Sequence, residues 1–151
     1  MPLEFRPVTS KKDLGELVSF IFSAFSETTA FKWTVASLKD EIKHGWKVFA
    51  VWYESDIVAA VLTRTGEGEL LTKHTGIKLP YQGKGLSHKM KEWFEADARS
   101  NGLGTIFNYC QTDHFRTIAL NERHGYVKTG RVEKLLDDLE VIEWKKVLEK
   151  K

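Results

Sequence analysis

Leu79-Pro80-Tyr81-Gln82-Gly83-Lys84-Gly85-Leu86-Ser87 is the stretch on which the reading of this chain turns. It follows a run with strand character and opens a segment of amphipathic helical periodicity. Two glycines in three residues predict a turn in which the backbone itself is presented. A helix that starts there leaves its first N–H groups without intrahelical partners, and the helix dipole adds positive character. Together these favour an anion, phosphate foremost. A surface turn that only caps a helix would use the same residues, so the loop alone leaves both readings open.

Two familiar phosphate loops fail on spacing. A P-loop needs Gly, four residues, then Gly-Lys-Ser/Thr. Six residues separate Gly76 from Gly83, and Gly85 follows Lys84, so no hydroxyl is placed for magnesium. A dinucleotide fingerprint needs a third glycine where His88 stands. Gln82-Gly83-Lys84-Gly85-Leu86-Ser87 instead resembles the Arg/Gln-Gly-x-Gly-x-Gly/Ala pyrophosphate loop of the GNAT N-acetyltransferase superfamily. That superfamily continues with a helix, a strand, a second helix and a Gly-Phe or Gly-Tyr turn. The chain offers helical periodicity near 85–101, a strand at 105–110, helical periodicity near 114–124, Gly125-Tyr126, and a strand at 127–132. Thr75-Gly76-Ile77, Lys91 and Ile118-Ala119-Leu120-Asn121-Glu122-Arg123-His124-Gly125-Tyr126 resemble a narrower subset with an Asn-Glu-x-x-Gly-Phe/Tyr motif. It includes mycothiol-synthase-like and other small-molecule acetyltransferases. The detailed resemblance covers about residues 68–132.

Composition permits this and excludes other classes. With 151 residues, one domain over 1–151 can bury a real core. A net charge of +2 is too balanced for a nucleic-acid surface, and Lys145, Lys146, Lys150 and Lys151 read as a solvated end. Cys110 is the single cysteine, so there is no intrachain disulfide and no cysteine metal cluster; no metal is expected. Residues 1–10 are polar and interrupted by Pro2 and Pro7, unlike a signal peptide, and no apolar run approaches membrane-spanning length. The expectation is a cytoplasmic protein without membrane or nucleic-acid partners.

The remaining elements follow from periodicity. Residues 3–7 read as a short strand. Ser10 caps a helix with Leu14, Leu17, Val18, Ile21, Phe22 and Phe25 on one face. Residues 26–32 form a polar break. Thr34 caps a second helix carrying Leu38 and Ile42, which ends near Gly45. Strands at 47–53 and 57–64 flank the turn Glu54-Ser55-Asp56. Residues 69–78 form the strand entering the loop, and 141–148 form a last strand, although 140–150 also fits a helix. The resulting class is α/β (α+β): one GNAT-like domain with a mixed central sheet, splayed beside the loop, and helices on both faces.

The resemblance implies an enzyme that moves an acetyl group from acetyl-CoA to an amine by direct transfer in a ternary complex. It implies that Ile77 and Leu79, with Lys78 between them, pair with the pantetheine arm through main-chain atoms. Gln82, Gly83, Lys84, Gly85, Leu86 and Ser87 would hold the pyrophosphate, with glycine admitting close backbone approach. An amine must be neutral to attack, and free alkyl amines have pKa near ~10.4, so a base is needed at neutral pH. His74 is the candidate base, because imidazole titrates in that range. Three residues before Ile77, it faces either the acceptor cleft or outward. The superfamily's usual general-acid tyrosine falls on Asn121, which can donate a hydrogen bond but not a proton. The Asn that often contacts coenzyme A falls on His114, read either as a cofactor contact or as a plain helix start.

On the acceptor side, Trp33 and Asn108 are the candidate contacts, with Phe25, Phe31 and Trp46 as further aromatics able to meet an ammonium group or to fill a core. Cys110 and Tyr126 read as core residues. A non-catalytic acyl-CoA-binding module is the alternative, prompted by Asn121. Monomer and homodimer both fit the sequence.

Overall fold

The computed structural model describes residues 3–25, 34–75, 77–111, 115–134 and 140–148. Trp33, His114, Phe31 and the break at 26–32 lie outside these, as do the side chains of Phe25 and Leu79. The strands are β1 (Glu4–Pro7), β2 (Lys47–Tyr53), β3 (Asp56–Thr65), β4 (Glu69–His74), β5 (Thr105–Gln111), β6 (Val127–Lys134) and β7 (Glu140–Val147). The helices are α1 (Lys11–Phe25), α2 (Val35–Lys43), α3 (Leu86–Ser100) and α4 (Phe115–Arg123). Within a unit the strands neighbour one another in the orders β1-β2-β3 and β4-β5-β7-β6. The chain divides into two compact units, one of residues 1–64 with 74–86, the other of 65–73 with 87–151.

In the first unit, β1, β2 and β3 form an antiparallel meander. Ser10 caps α1, accepting from the Asp13 N–H at 3.1 Å. Thr34 and Ser37 form a reciprocal cap on α2, with side-chain bonds of 3.0 and 2.8 Å. Each cap answers N–H groups that a helix start leaves open, at ~1 kcal/mol. The β2–β3 turn puts Glu54 in the left-handed region, φ +58°. Val58 to Thr63 are buried without interruption, as in a strand covered on both faces.

The strand expected over 69–78 stops at His74. The Thr75 hydroxyl accepts the Ala60 N–H at 3.0 Å, while the Thr75 and Lys78 N–H groups donate to Ala60 and Val58 at 2.9 and 2.8 Å. A side chain has entered the ladder, and Leu79–Tyr81 then closes as a 3₁₀ turn.

In the second unit, β4 and β5 pair in parallel over Glu69–Thr72 and Thr105–Asn108. β5 continues through Gln111, paired antiparallel with β7, and β6 lies on the other side of β7. Within the segment with two readings, Glu140–Val147 is therefore strand. On α3, Met90, Phe94 and Ala98 are buried at every fourth position, which is the stripe a surface helix turns to a core. Ile106, Asn108 and Cys110 alternate on one buried face of β5, and Tyr126 and Trp144 are buried too.

Candidate active site

The turn ahead of α3 is open. Gly83, Lys84 and Gly85 are exposed, and both glycines adopt the left-handed backbone, φ +81° and +75°. A Cβ added at either would meet nothing within 4 Å. The glycines are therefore required by backbone conformation, rather than by crowding within the chain. The space before them is free for a ligand to approach the backbone. Lys84 extends over the Tyr81 ring at 5.8 Å, and Tyr81 meets Tyr53 edge-on at 5.7 Å. α3 runs for 15 residues with no acidic residue in its first turn, so nothing there competes with an anion.

Gln82 turns back. Its Nε2 donates to the Ile77 carbonyl at 2.9 Å, tying the turn to the segment before it. Ile77 is buried, and the Lys78 backbone N–H is already given to Val58. The Lys78 side chain pairs with Asp56 at 3.0 Å. A pocket of about 450 Å³ opens there, with Phe20, Trp52, Asp56 and Lys78 in its wall. Asp56 and Trp52 were not singled out from the sequence; they sit at a hairpin end, where charge and aromatics are ordinary.

His74 does not face outward. It is buried, and its Nδ1 lies 2.9 Å from the Thr75 carbonyl. A carbonyl only accepts, so Nδ1 carries the proton and the lone pair sits on Nε2, as a base requires.

Asn108 and Asn121, picked from the sequence for separate roles, meet in the second unit. Asn121 Nδ2 donates to Asn108 Oδ1 at 3.0 Å, and Asn108 Nδ2 donates to the Thr72 hydroxyl at 3.1 Å. Asn121 Oδ1 accepts from Lys91 Nζ at 2.6 Å. Thr72, Lys91, Asn108 and Asn121 are each 0% exposed. Burial pushes the Lys91 amine down to about 7, and nearby Lys146 adds to the effect. Lys91 Nζ lies 4.3 Å from the centre of the Tyr126 ring, a cation–π contact when charged. Burial raises the Cys110 thiol and the Tyr126 phenol above their ordinary values, so both stay protonated at neutral pH. Thr72 carried no signal, and Lys91 counted only as a motif residue. His88 Nδ1 and His124 Nε2 form a further pair at 2.7 Å. Among the described residues, no cluster of three or more His, Cys, Asp or Glu could hold a metal, and no helix is long and apolar enough to cross a membrane.

The fold is one found in solved N-acetyltransferases. Solved structures with this fold include the ribosomal-protein-S18-alanine N-acetyltransferase of Escherichia coli, 14% identical with a TM-score of 0.74 over 99% of this chain and 96% of that one. The spermidine/spermine N-acetyltransferase of Vibrio cholerae, solved as two mutant forms, gives 14% and 0.70 over 96% and 93%. A putative acetyltransferase of Salmonella typhimurium, solved with acetyl-CoA, gives 16% and 0.66 over 100% and 96%. No family model and no curated protein sequence matches the chain. The expected α/β class, with a mixed sheet and helices on both faces, is the observed one.

Proposed function

We propose that the chain is one acyltransferase domain that moves an acetyl group from acetyl-CoA to an amine in a ternary complex, in a cytoplasmic setting. The observation carrying this is the exposed Gly83-Lys84-Gly85 turn at the start of α3, in a fold shared with an enzyme solved with acetyl-CoA. Backbone N–H groups from Gly83 to Ser87 would hold the pyrophosphate, with Lys84 as a counter-charge. Ile77, Lys78 and Leu79 would run beside the pantetheine arm, and His114, outside the described residues, is a further proposed cofactor contact. Acetyl-CoA supplies an activated thioester; the chain must bind it, orient the amine and move one proton. His74 Nε2 is the proposed acceptor of that proton. The acceptor amine would enter near Phe20, Trp52 and Asp56, which offer aromatic faces and a carboxylate. Trp33, outside the described residues, and Asn108 remain proposed acceptor contacts from the sequence.

The choice of amine is set by side chains rather than by the fold. The neighbours' names give a ribosomal-protein alanine and a polyamine at nearly equal structural similarity. Thermal unfolding with acetyl-CoA, coenzyme A and ATP tests the binding. At 100 times the dissociation constant, the stabilisation is ~2.7 kcal/mol. A shift with both coenzyme A forms and none with ATP supports the reading; no shift with any of them removes it. Thiol release across a panel of peptide N-termini and polyamines then tests catalysis. His74→Asn should lower kcat by ~10²-fold or more with little change in acetyl-CoA affinity.

The non-catalytic binding module is favoured by one observation. Asn121, where the resemblance places a general acid, is wholly buried and bonded at both ends of its amide. Turnover of any amine excludes that reading.

A further inference from the structure

Lys91 has no part in the reading above, yet it is the best-buried charged side chain described in the second unit. An ammonium group only donates. It therefore turns Asn121 Oδ1 towards itself and Nδ2 away, at 2.6 Å. Asn121 Nδ2 then needs an acceptor and finds Asn108 Oδ1, which turns Asn108 Nδ2 towards Thr72. The Thr72 hydroxyl, having accepted, donates to the Phe107 carbonyl at 2.7 Å. One charge thus sets the polarity of three side chains drawn from α4, β5 and β4. The row ends at a particular place. Thr72 and Asn108 are the last residue pair in the β4–β5 register, beyond which β5 runs on through Tyr109, Cys110 and Gln111.

We infer that Lys91 is a positioning residue for the acyl-CoA arm: acting through Asn121 and Asn108, it clamps β4 to β5 at Thr72 and so fixes where their pairing stops. The inference rests on the proposed acyl-CoA binding. A neutral Lys91 also has a lone pair, can accept as well as donate, and no longer dictates which way Asn121 and Asn108 face. Burial brings its pKa to about 7, so both forms are populated near neutrality. The groups that face it are Cys110 from β5, Lys146 from β7, His124 just after α4 and the Tyr126 ring; Glu95 on α3 pairs with Lys146. Cys110, protonated at neutral pH, brings no charge to bear on it, and Lys146 opposes the charged form.

Calorimetric titration with two ligands separates a clamp from a general stabiliser: acetyl-CoA, and 3′-phosphoadenosine 5′-diphosphate, which lacks the pantetheine arm. Lys91→Met should weaken acetyl-CoA ten-fold or more and leave the fragment within two-fold. In the unmutated protein, acetyl-CoA affinity relative to the fragment should fall about ten-fold or more from pH 7 to pH 9, as the charged form is depleted. The phosphates of both ligands are largely ionised across that range. Lys91→Arg, always charged, should flatten that profile. Equal weakening of both ligands in Lys91→Met, or no weakening, overturns the inference. If neither substituted protein folds, the unmutated pH series decides, and a constant ratio overturns it. If the unmutated protein binds the fragment but not acetyl-CoA, the acyl-CoA reading fails, and the clamp with it.

Discussion

The turn Gly83-Lys84-Gly85 is exposed and offers backbone N–H groups; the row Lys91, Asn121, Asn108, Thr72 is wholly buried and offers only side chains. In the turn, residue type is dictated by φ, and the space around each glycine is open. In the row, residue type is dictated by neighbours, each donor needing one particular acceptor. The first arrangement leaves polar groups available to a ligand. The second uses its polar groups internally, and gains a defined geometry at the expense of burying a lysine. A polar residue near a functional site can thus serve it in two opposite ways, and exposure tells them apart.

The largest effect that could break this contrast is on stability. Asn121→Leu removes the acceptor of Lys91 Nζ and the donor to Asn108 Oδ1 in the interior. It should cost ~3–5 kcal/mol in urea unfolding at pH 6. Lys91→Met removes the charge itself and leaves one amide oxygen unpaired, a cost of ~1–3 kcal/mol that relief of the buried charge offsets. If Lys91→Met proves the more damaging at pH 6, the row is not organised around a costly charge. The next effect is the pH dependence of the same group. Its folded pKa, about 7, lies below its unfolded value, so between these the unfolded chain binds more protons. Stability should therefore rise with pH from about 7 towards ~10, by a few kcal/mol at most. Lys91→Met should lose that rise, as urea midpoints at pH 6 and pH 9 would show.

The two regions also differ in how far they can be read from sequence. A left-handed turn selects glycine locally, so Gly83 and Gly85 stand out within three residues. The caps at Ser10 and Thr34, and the apolar stripe of α3, are local for the same reason. The row is not local. Lys91 and Asn121 are 30 residues apart, and Asn121 and Asn108 are 13 apart. Helical periodicity puts Lys91 beside Phe94 and Ala98 at the border of the apolar stripe, where its charge alone argues for solvent, and strand alternation puts Asn108 on an otherwise apolar face. Only the packing of α3, α4, β4 and β5 within the second unit shows that these polar groups answer one another. The strand boundary at His74 was missed because the Thr75 hydroxyl replaces a backbone group, which period two cannot register. Periodicity and composition place the glycine turn, while the left-handed φ at Gly83 and Gly85 is a further reason for glycine that the close approach of a ligand does not supply.

That cause gives a sharper test of the turn. Gly85→Val should cost ~1–2 kcal/mol, since a residue with a Cβ is disfavoured at φ +75° although space is open. Acetyl-CoA affinity should fall with it if the turn holds the pyrophosphate. Gly15, inside α1, is the control: a Cβ there also meets nothing within 4 Å, and its φ is not positive. Gly15→Ala should stabilise by ~0.5–1 kcal/mol, as alanine does in a helix interior. Calorimetric melting of the two variants should move in opposite directions. Movement in the same direction would mean that local space, and not φ, decides the glycines.

The smallest effect concerns the pair His88 and His124, which lies between the two cases in exposure. Partial burial lowers the His124 pKa first, and the facing His88 ring lowers it further. A depressed folded pKa means stability that is present above about 6.5, the unfolded value, and is lost as pH falls through the folded one. That window lies below the one assigned to Lys91, so a stability profile from pH 5 to pH 10 resolves two separate limbs. His88→Asn keeps a donor for His124 Nε2 but removes one ring that can charge. It should shallow the acid limb by less than ~1 kcal/mol and leave the alkaline limb intact, because burial, the larger cause, is untouched. Loss of the alkaline limb in His88→Asn would show that the histidine pair and the buried lysine titrate as one system, and would end their treatment as distinct elements.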